Sequence, residues 1–387
     1  VIKELILGVL GGTVTGLTPA LHANTLASIL EGVDLPLRGL SFVLLIYAMG
    51  LTHTFLDAFP STFFGVPEEG TALAILPAHR LAMEGKGLEV VNISLKASLL
   101  AVIFSTALFP LYSALAPHYN PLMGRIAVVF LALLIILTES GIKKLYALLV
   151  FLMAGALGIV SELFPLREPF YHLFVGLFGV PVILLSLRNE GRVRAGDEGI
   201  NMETPELVRF SLAGTFFGML SSMLPAFTPS QAALVGTFFT KGERPFLTIV
   251  FSVNTANFVF GLENFYLTGR TRNGILALMG EHYFPISRWE FLILLVSSFA
   301  VAGLVNLYGL PLSRFVAGLL ENFSYRKLNL AVLVLLFTGS FLLDGLLGVL
   351  LLGVSSLVGL SAPLLGVKRT ACMGVLMLPI IIGPKAL

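Results

Sequence analysis

The sequence predicts an all-α polytopic membrane protein, on three observations. The chain has 387 residues, 56% of them hydrophobic and only 12% charged, whereas soluble domains carry about 25% charged residues. Mean hydropathy is +0.94. Apolar stretches of helical length recur from Leu5 to Leu378, and such stretches cross a hydrocarbon core of about 30 Å. The strict alternation of a membrane β-barrel is absent.

The elements follow in order. The first half predicts apolar helices over 39–58, 93–115, 122–137, 143–161 and 169–187, and the second half over 245–262, 289–309, 329–343, 345–361 and 370–384. Each half opens on something different. Residues 4–30 and 207–239 are apolar at both ends but interrupted, at Gly16-Leu17-Thr18-Pro19 and between Gly218 and Pro225. Proline lacks the helix donor and clashes with the preceding turn, so neither segment reads as one continuous span. A broken helix or re-entrant hairpin is tolerated at membrane depth where it faces protein or a water-filled cavity. The expectation is about ten spanning helices plus two hairpins. Val1 leads straight into the first apolar segment without a basic leader, so the start is either a membrane element or a trimmed end.

The chain also repeats itself. Gly12-Thr13-Val14-Thr15-Gly16 returns as Gly214-Thr215-Phe216-Phe217-Gly218, an offset of 202, and Pro19-Ala20 returns as Pro225-Ala226. At an offset of 203, Thr52-His53-Thr54-Phe55 aligns with Thr255-Ala256-Asn257-Phe258, Leu73-Ala74 with Leu276-Ala277, and His79 with His282. A densely charged, glycine-containing stretch from Arg188 to Arg209 separates the copies. The domains are therefore a first membrane repeat (1–188), a charged linker (189–204) and a second membrane repeat (205–387), with Thr204-Pro205 placed to open its first helix. If each interrupted element returns to the side it came from, the first half makes five crossings and the repeats are inverted. The linker's side then holds about twice as many of the 24 Lys and Arg residues as the other. The positive-inside rule thus places the linker and Lys368-Arg369 in the cytoplasm. Parallel repeats, with each interrupted element crossing once, give a more even split. Inverted repeats built on discontinuous helices are characteristic of secondary transporters, whose site lies near the bilayer midplane where the repeats meet.

Composition removes other functions. With 24 basic and 22 acidic residues, no basic face argues for nucleic acid. The single cysteine, Cys372, leaves no intramolecular disulfide and no Cys-based metal centre. Walker, H-E-x-x-H and G-x-S-x-G motifs are absent, so neither an ATP motor nor an enzyme is expected. No metal site is expected, and no cofactor beyond a coupling ion, Na⁺ or H⁺.

Three groups of residues carry candidate chemistry. In the first interruption, Thr13, Thr15, Thr18, Pro19, His22, Asn24 and Thr25 crowd hydroxyl, amide and imidazole groups into an otherwise apolar element. Unwound backbone and a half-helix N-terminus bind anions without a buried Lys or Arg; alternatively the hydroxyls bond back to their own turns. The second interruption offers Thr215, Ser221, Ser222, Pro225, Thr228, Ser230 and Gln231, against the alternative of close helix packing. The third group, read as ion-coupling, is His53, Thr54 and Asp57 with Asn254, Thr255 and Asn257. His53 and Asp57 share a helix face at i, i+4, and ionisable groups inside a membrane are functional hypotheses by default. The opposing reading, with Pro60 close by, is that Asp57 already lies at the membrane surface. Residues 61–87, with Glu68, Glu69, Arg80 and Lys86, and their counterpart with Glu263, Asn264, Arg270 and Arg272, read as solvated loops. Asp344-Gly345 reads as a tight turn between helices.

These motifs resemble a known family. Gly12-Thr13-x-x-Gly16-Leu17-x-Pro19, Val66-Pro67-Glu68-Glu69, Glu84-Gly85-Lys86-Gly87-Leu88 and Gly214-Thr215-x-x-Gly218 with Pro225-Ala226 are similar to the signatures of the large membrane subunit of tripartite tricarboxylate transporters, the TctA-type permeases. The chain departs from the family where Pro19-Ala20-Leu21-His22-Ala23 replaces a Pro-Gly-Leu-Gly-Pro type run and Glu68-Glu69 replaces Gly-Asp, so it reads as a shortened, divergent member. The resemblance implies cation-coupled uptake of a di- or tricarboxylate, working with a small membrane subunit and an extracytoplasmic binding protein. Other expected partners are the small anionic substrate and the lipid bilayer, with a homodimer left open. The runner-up reading is a translocase for polyprenyl phosphate or another lipid carrier, since a Gly-Pro-Ser/Thr hairpin also suits a phosphate head; Lys241 and Arg244 are the basic residues near the second hairpin.

Overall fold

The computed structural model describes residues 2–19, 21–32, 37–66, 70–118, 120–187, 194–224, 227–271 and 273–382, and every regular element among them is helical. The first half holds α1 (Ile2–Leu17), α2 (Ala23–Gly32), α3 (Leu40–Leu56), α4 (Ala58–Phe63), α5 (Ile75–Met83), α6 (Gly87–Leu115), α7 (Pro121–Leu137), α8 (Lys143–Ser161), α9 (Pro169–Phe174) and α10 (Val180–Ser186). The second holds α11 (Thr204–Met223), α12 (Pro229–Gly236), α13 (Glu243–Thr268), α14 (Gly274–His282), α15 (Arg288–Leu320), α16 (Tyr325–Leu364) and α17 (Gly374–Ile382).

Among the described residues six helical stretches are long and apolar enough to cross a membrane: Leu40–Phe63, Gly87–His118, Lys143–Ser161, Glu243–Thr268, Arg288–Leu320 and Arg326–Leu364. The other apolar helices, Ala72–Met83, Leu122–Leu137, Pro169–Leu185 and Arg369–Ile382, are shorter. The predicted pair 329–343 and 345–361 falls inside the single stretch of α16, and an unbroken helix of that length would reach about 60 Å, twice the hydrocarbon thickness. Asp344 (φ −135°, ψ 16°) and Gly345 (φ 60°, ψ −145°) leave helical geometry and divide it. Only glycine takes the second of these conformations without steric cost. The segment predicted over 169–187 is α9 and α10 joined by a π-turn at Val175–Gly179.

Two boundaries depart from the sequence reading. The predicted helix 245–262 continues through Glu263 and Asn264 to Thr268, and the cap falls on Gly269 in the left-handed region (φ 71°). Glu263 and Asn264 are therefore buried in a helix and not in a solvated loop. Their polarity suggested a surface, but burial is decided by the neighbours on α13's face. The predicted helix 289–309 likewise runs on through Pro311 to Leu320.

Both interruptions are real. Helix α1 stops before Thr18-Pro19, and α2 starts at Ala23. Helix α11 stops at Met223, where Leu224 turns extended (φ −83°, ψ 124°), as the residue before a proline does; Pro225 itself lies outside the described residues. Helix α12 begins with Thr228 in a capping box with Gln231 and Pro229 in the first turn, which satisfies donors that would otherwise be orphaned in an apolar setting.

The repeated glycines explain the packing of α1 and α11. Gly8, Gly12 and Gly16 fall on one face of α1, where a Cβ would come within 2.3 Å of the Leu45 carbonyl, 2.4 Å of the Met49 carbonyl and 2.7 Å of the Leu56 side chain. Gly214 and Gly218 meet Ile249, Ser252, Val253 and Ala256 of α13 in the same way, at 2.6–2.8 Å. These are small-residue seams that let helix backbones approach closely. The contacts advance together along both helices, so α1 runs parallel to α3, and α11 parallel to α13. They also refine the register. Gly16 meets His53 and Leu56, and Gly218 meets Val253 and Ala256, matching α3 to α13 at an offset of 200. The sequence-based offset of 203 is thus nearly one turn away.

Helices α3 and α13 cross antiparallel. Asp57 pairs with Asn254, Thr54 with Thr255, and Tyr47 with Phe258. Helices α6 and α15 do the same, Asn306 reaching Leu95 and Phe109 packing on Phe291. Helix α3 is hydrophobic all round and wholly enclosed, as such a helix must be. Large exposed side chains such as Phe130, Leu307, Leu342 and Leu357 lie on the outer helices. The two main hydrophobic clusters each draw on both halves. Helix α2 rests on α14, α17 on α8, and α9–α10 on α16. The described part of the linker lies along the helix ends: Ala195 N donates to Glu321, Asn201 N to Glu89, and Asn92 to the Glu198 carbonyl.

A Gly12→Leu substitution is expected to lower the apparent melting temperature in detergent by several degrees, since over-packing costs about 1–3 kcal/mol, occasionally more. Val14→Leu, on the exposed face of the same helix, is the control expected to be silent. Equal melting of both variants would mean that the seam is not tightly packed.

Candidate functional site

The antiparallel pair α3 and α13 forms the floor of a cavity of about 410 Å³. Its polar lining comes from both halves: His22, Asn24, His53, Thr54 and Asp57 from the first, and Asn254, Asn257 and Asn273 from the second. Asp57, 2% exposed, accepts a hydrogen bond from Asn254 Nδ2 at 2.7 Å. It sits inside the protein, beside the α3–α4 junction, and not at a solvated end. Thr15 Oγ1 lies 3.1 Å from His53 Nδ1, and the His22 ring lies 4.9 Å from the His53 ring. His53 Nε2 is buried and has no hydrogen-bond partner among the described residues. Asn257 Oδ1 accepts from Ser221 at 2.7 Å, and Thr255 bridges Thr54 and Ser98 at 3.1 and 2.8 Å just outside the cavity wall.

Three helix N-termini meet at this cavity: Ala23 of α2, Pro229 of α12, and Gly274 with Ile275 of α14 all line it. Each helix start carries about half a positive charge, while the described lining residues include no Lys or Arg. Two glycines make the approach possible. A Cβ on Gly70 would lie 2.2 Å from Asn254 Oδ1, and one on Gly274 would lie 2.7 Å from Asn24 Cγ. Asn24 Oδ1 accepts the Ile275 N–H at 3.2 Å, which fastens α2 to the start of α14.

The other predicted residues fall elsewhere. Thr18, Pro19 and Thr25 line a neighbouring cavity of about 440 Å³, which shares His22 and Asn24 with the first. Thr25 donates to Glu168 at 3.4 Å there. Thr13 bonds to the Val9 carbonyl at 2.7 Å and to Tyr308 at 2.5 Å. Thr215 bonds back to Ser211, and Ser222 bonds to Tyr112. Thr228 and Gln231 cap α12, and Ser230 is buried in its first turn. Pro225 lies outside the described residues, as do Pro67, Glu68, Glu69 and Arg272.

Several residues of the region escape sequence reasoning. Gly70, Gly274 and Asn273 carry no motif, and their contacts lie on opposite halves of the chain. Asp344, read as a simple turn, accepts from the backbone of Arg167 (2.5 Å) and Glu168 (3.0 Å) and lies 2.8 Å from His172 Nε2. It thereby fixes the segment that carries Glu168 and Phe170 to the cavities. Its single carboxylate beside Gly345 was the available signal. Arg244, one of the two basic residues near the second hairpin, is held by both oxygens of Glu89 at 2.6 and 2.8 Å.

Six membrane-length helices among the described residues, two of them lining a polar cavity, mark a multi-pass membrane protein. The sequence comparisons agree: the profile of the tripartite tricarboxylate transporter TctA family matches residues 4–374, and the chain belongs to that family. It is also similar to an uncharacterized protein of Methanocaldococcus jannaschii, 27% identical over 349 residues, covering 85% of this chain and 84% of that one. No solved structure matches. The family is that of the permease of tripartite tricarboxylate transporters, which partners with a small membrane subunit and a binding protein.

Proposed function

We propose that this chain is a secondary transporter of the cytoplasmic membrane that takes up a small di- or tricarboxylate together with a cation, Na⁺ or H⁺, through the cavity between α3 and α13. The observation that carries this reading is the convergence of three helix N-termini on a cavity whose described lining has no basic side chain. The positive ends of the three helix dipoles favour a carboxylate in such a setting, while Asp57 calls for a cation beside the anion. The substrate-facing groups are His22, Asn24, His53, Asn254, Asn257 and the start of α14. Asp57 and Thr54 are the cation ligands, with Thr255 behind them.

Inverted repeats are part of the reading. The sequence-matched helices α3 and α13 cross antiparallel, as do α6 and α15, which hold the same place in their halves, and the first helix of each half runs parallel to the third. Parallel α1 and α3 require α2 to bring the chain back, which is the behaviour of a re-entrant hairpin. With the linker cytoplasmic, as the charge distribution favours, the hairpins enter from opposite sides. The polyprenyl-phosphate alternative finds less support, because Arg244 is committed to Glu89 and the described lining of the cavity has no Lys or Arg.

Thermal stability of the purified protein against citrate, succinate, inorganic phosphate and polyprenyl phosphate, each with and without Na⁺ and at two pH values, tests the proposal. A ligand at a hundred times its Kd stabilises by about 2.7 kcal/mol, which is visible as a shift of several degrees. The expected result is a cation-dependent shift with a carboxylate that is lost in Asn24→Ala. A shift with polyprenyl phosphate alone would move the function to lipid-carrier translocation.

A further inference from the structure

Glu263 is the group that the site described above does not use. It lies on α13, fully buried, and both carboxyl oxygens are inaccessible and without a hydrogen-bond partner among the described residues. Nothing in the helix requires it there: it is in the penultimate turns of a membrane-length segment, among Leu262, Val259 and Phe265 of the main hydrophobic cluster. A carboxylate held in such surroundings, unpaired and without hydrogen bonds, is among the costliest things a protein buries. A neutral carboxylic acid is tolerated far better.

Its neighbours point the same way. Helix α13 packs against α3, α5, α6, α11, α12, α14 and α15 and against the turns at Ala72–Ala74 and Ala116–His118. The titratable and charged side chains these bring are Tyr47 and His53 on α3, with Asp57 just past its end; His79 and Arg80 on α5; Glu89, Lys96 and Tyr112 on α6; Glu206 and Arg209 on α11; Glu281 and His282 on α14; Arg288, Glu290, Tyr308 and Arg314 on α15; and His118 in the second turn. Of these, Tyr47 is within electrostatic reach of Glu263. Tyr47 hydroxyl is bonded to Ser298 at 2.7 Å, and its ring packs at 5.3 Å on Phe258, which lines the central cavity. Glu263 thus sits about two turns beyond Thr255, at the same α3–α13 contact that closes the cavity.

We infer that Glu263 is a proton-binding site that couples transport to a proton, a reading that rests on the transporter function proposed above. While α3 and α13 are packed as here, the carboxyl holds its proton. When they part and water reaches it, the O–H bond breaks, the proton passes to water, and the carboxylate remains. Repacking then requires a proton from the side that is open at that moment. A Na⁺ site would need several oxygen ligands, and no described polar group is bonded to the Glu263 carboxyl.

Infrared spectroscopy of the purified protein at neutral pH tests the proton site without any substrate. A carbonyl-stretch band of a protonated carboxylic acid is expected in the wild type and missing in Glu263→Gln, which keeps the side-chain shape. Identical spectra overturn the proposal. Reconstituted vesicles then test coupling with radiolabelled citrate. Wild-type uptake is expected to rise several-fold with an imposed inward proton gradient, whereas Glu263→Gln is expected to keep citrate exchange but lose the response to the gradient. A variant that still responds to the gradient like the wild type overturns the coupling role. Absence of citrate movement in the wild type counts against the substrate proposed above, and the infrared band then decides the proton site by itself.

Discussion

Transport is expected to fall at least about a hundred-fold when Asp57 is replaced by alanine. A charge-assisted hydrogen bond contributes about 1.5–3 kcal/mol, and each 1.4 kcal/mol is a factor of about ten. In the proposed mechanism the loss is felt twice. The cation loses its charged ligand, and the Asn254 amide, bonded to Asp57 at 2.7 Å, loses its acceptor inside the protein. Asp57→Asn separates the two effects. It offers Asn254 a carbonyl acceptor of similar shape, so stability is expected to change by under about 1 kcal/mol while cation dependence disappears. Uptake per folded molecule in reconstituted vesicles is the measurement. Wild-type uptake with unchanged cation dependence in Asp57→Ala would remove Asp57 from the site.

The largest stability loss is expected at Asp344. Its carboxylate accepts two backbone N–H groups and pairs with His172, whose other ring nitrogen lies 2.9 Å from Ser340. Both side chains of the pair are nearly inaccessible, 0% for His172 and 3% for Asp344. Asp344→Ala leaves the buried His172 Nε2 and the less buried Arg167 and Glu168 amides without their acceptor. Breaking one buried pair typically costs about 3–5 kcal/mol, and unfolding in detergent, followed by heat or denaturant, should show a loss of that order. Asp344→Asn, which keeps one acceptor oxygen, is expected to fall between. If Asp344→Ala melts with the wild type, the bend in α16 is held by something other than this network.

The interruptions in each half were legible in the sequence because proline and glycine have strong local rules. Thr18-Pro19 ends α1, and Leu224, ahead of a proline, becomes extended. The Gly12-Gly16 and Gly214-Gly218 repeats were legible as a duplication. Their role was not, because their partners at Met49, Thr52, Val253 and Ala256 are set by a register that sequence matching placed nearly a turn away. In the third polar group, Asp57 meets Asn254 and Thr54 meets Thr255 across the two halves. Glu263 and Asn264 were misplaced in a loop, since a charged residue near a helix end looks the same whether water or helices surround it.

The sequence by itself determined the class of protein. Hydropathy, the scarcity of charge and the family's short motifs are local or compositional, and each forces helices into a membrane whatever their arrangement. The tertiary structure decided which polar residues share a cavity. Asn24 with Gly274, Asn254 with Gly70, and Asp344 with His172 are joined across some 170–250 residues of chain. The antiparallel packing of α3 on α13, with the hairpin helices laid beside it, brings the first two pairs together, and the packing of α16 on α9 the third. No pattern of neighbours along the chain encodes that meeting, because the periodicity of a helix fixes which face a residue occupies but not which helix that face will find.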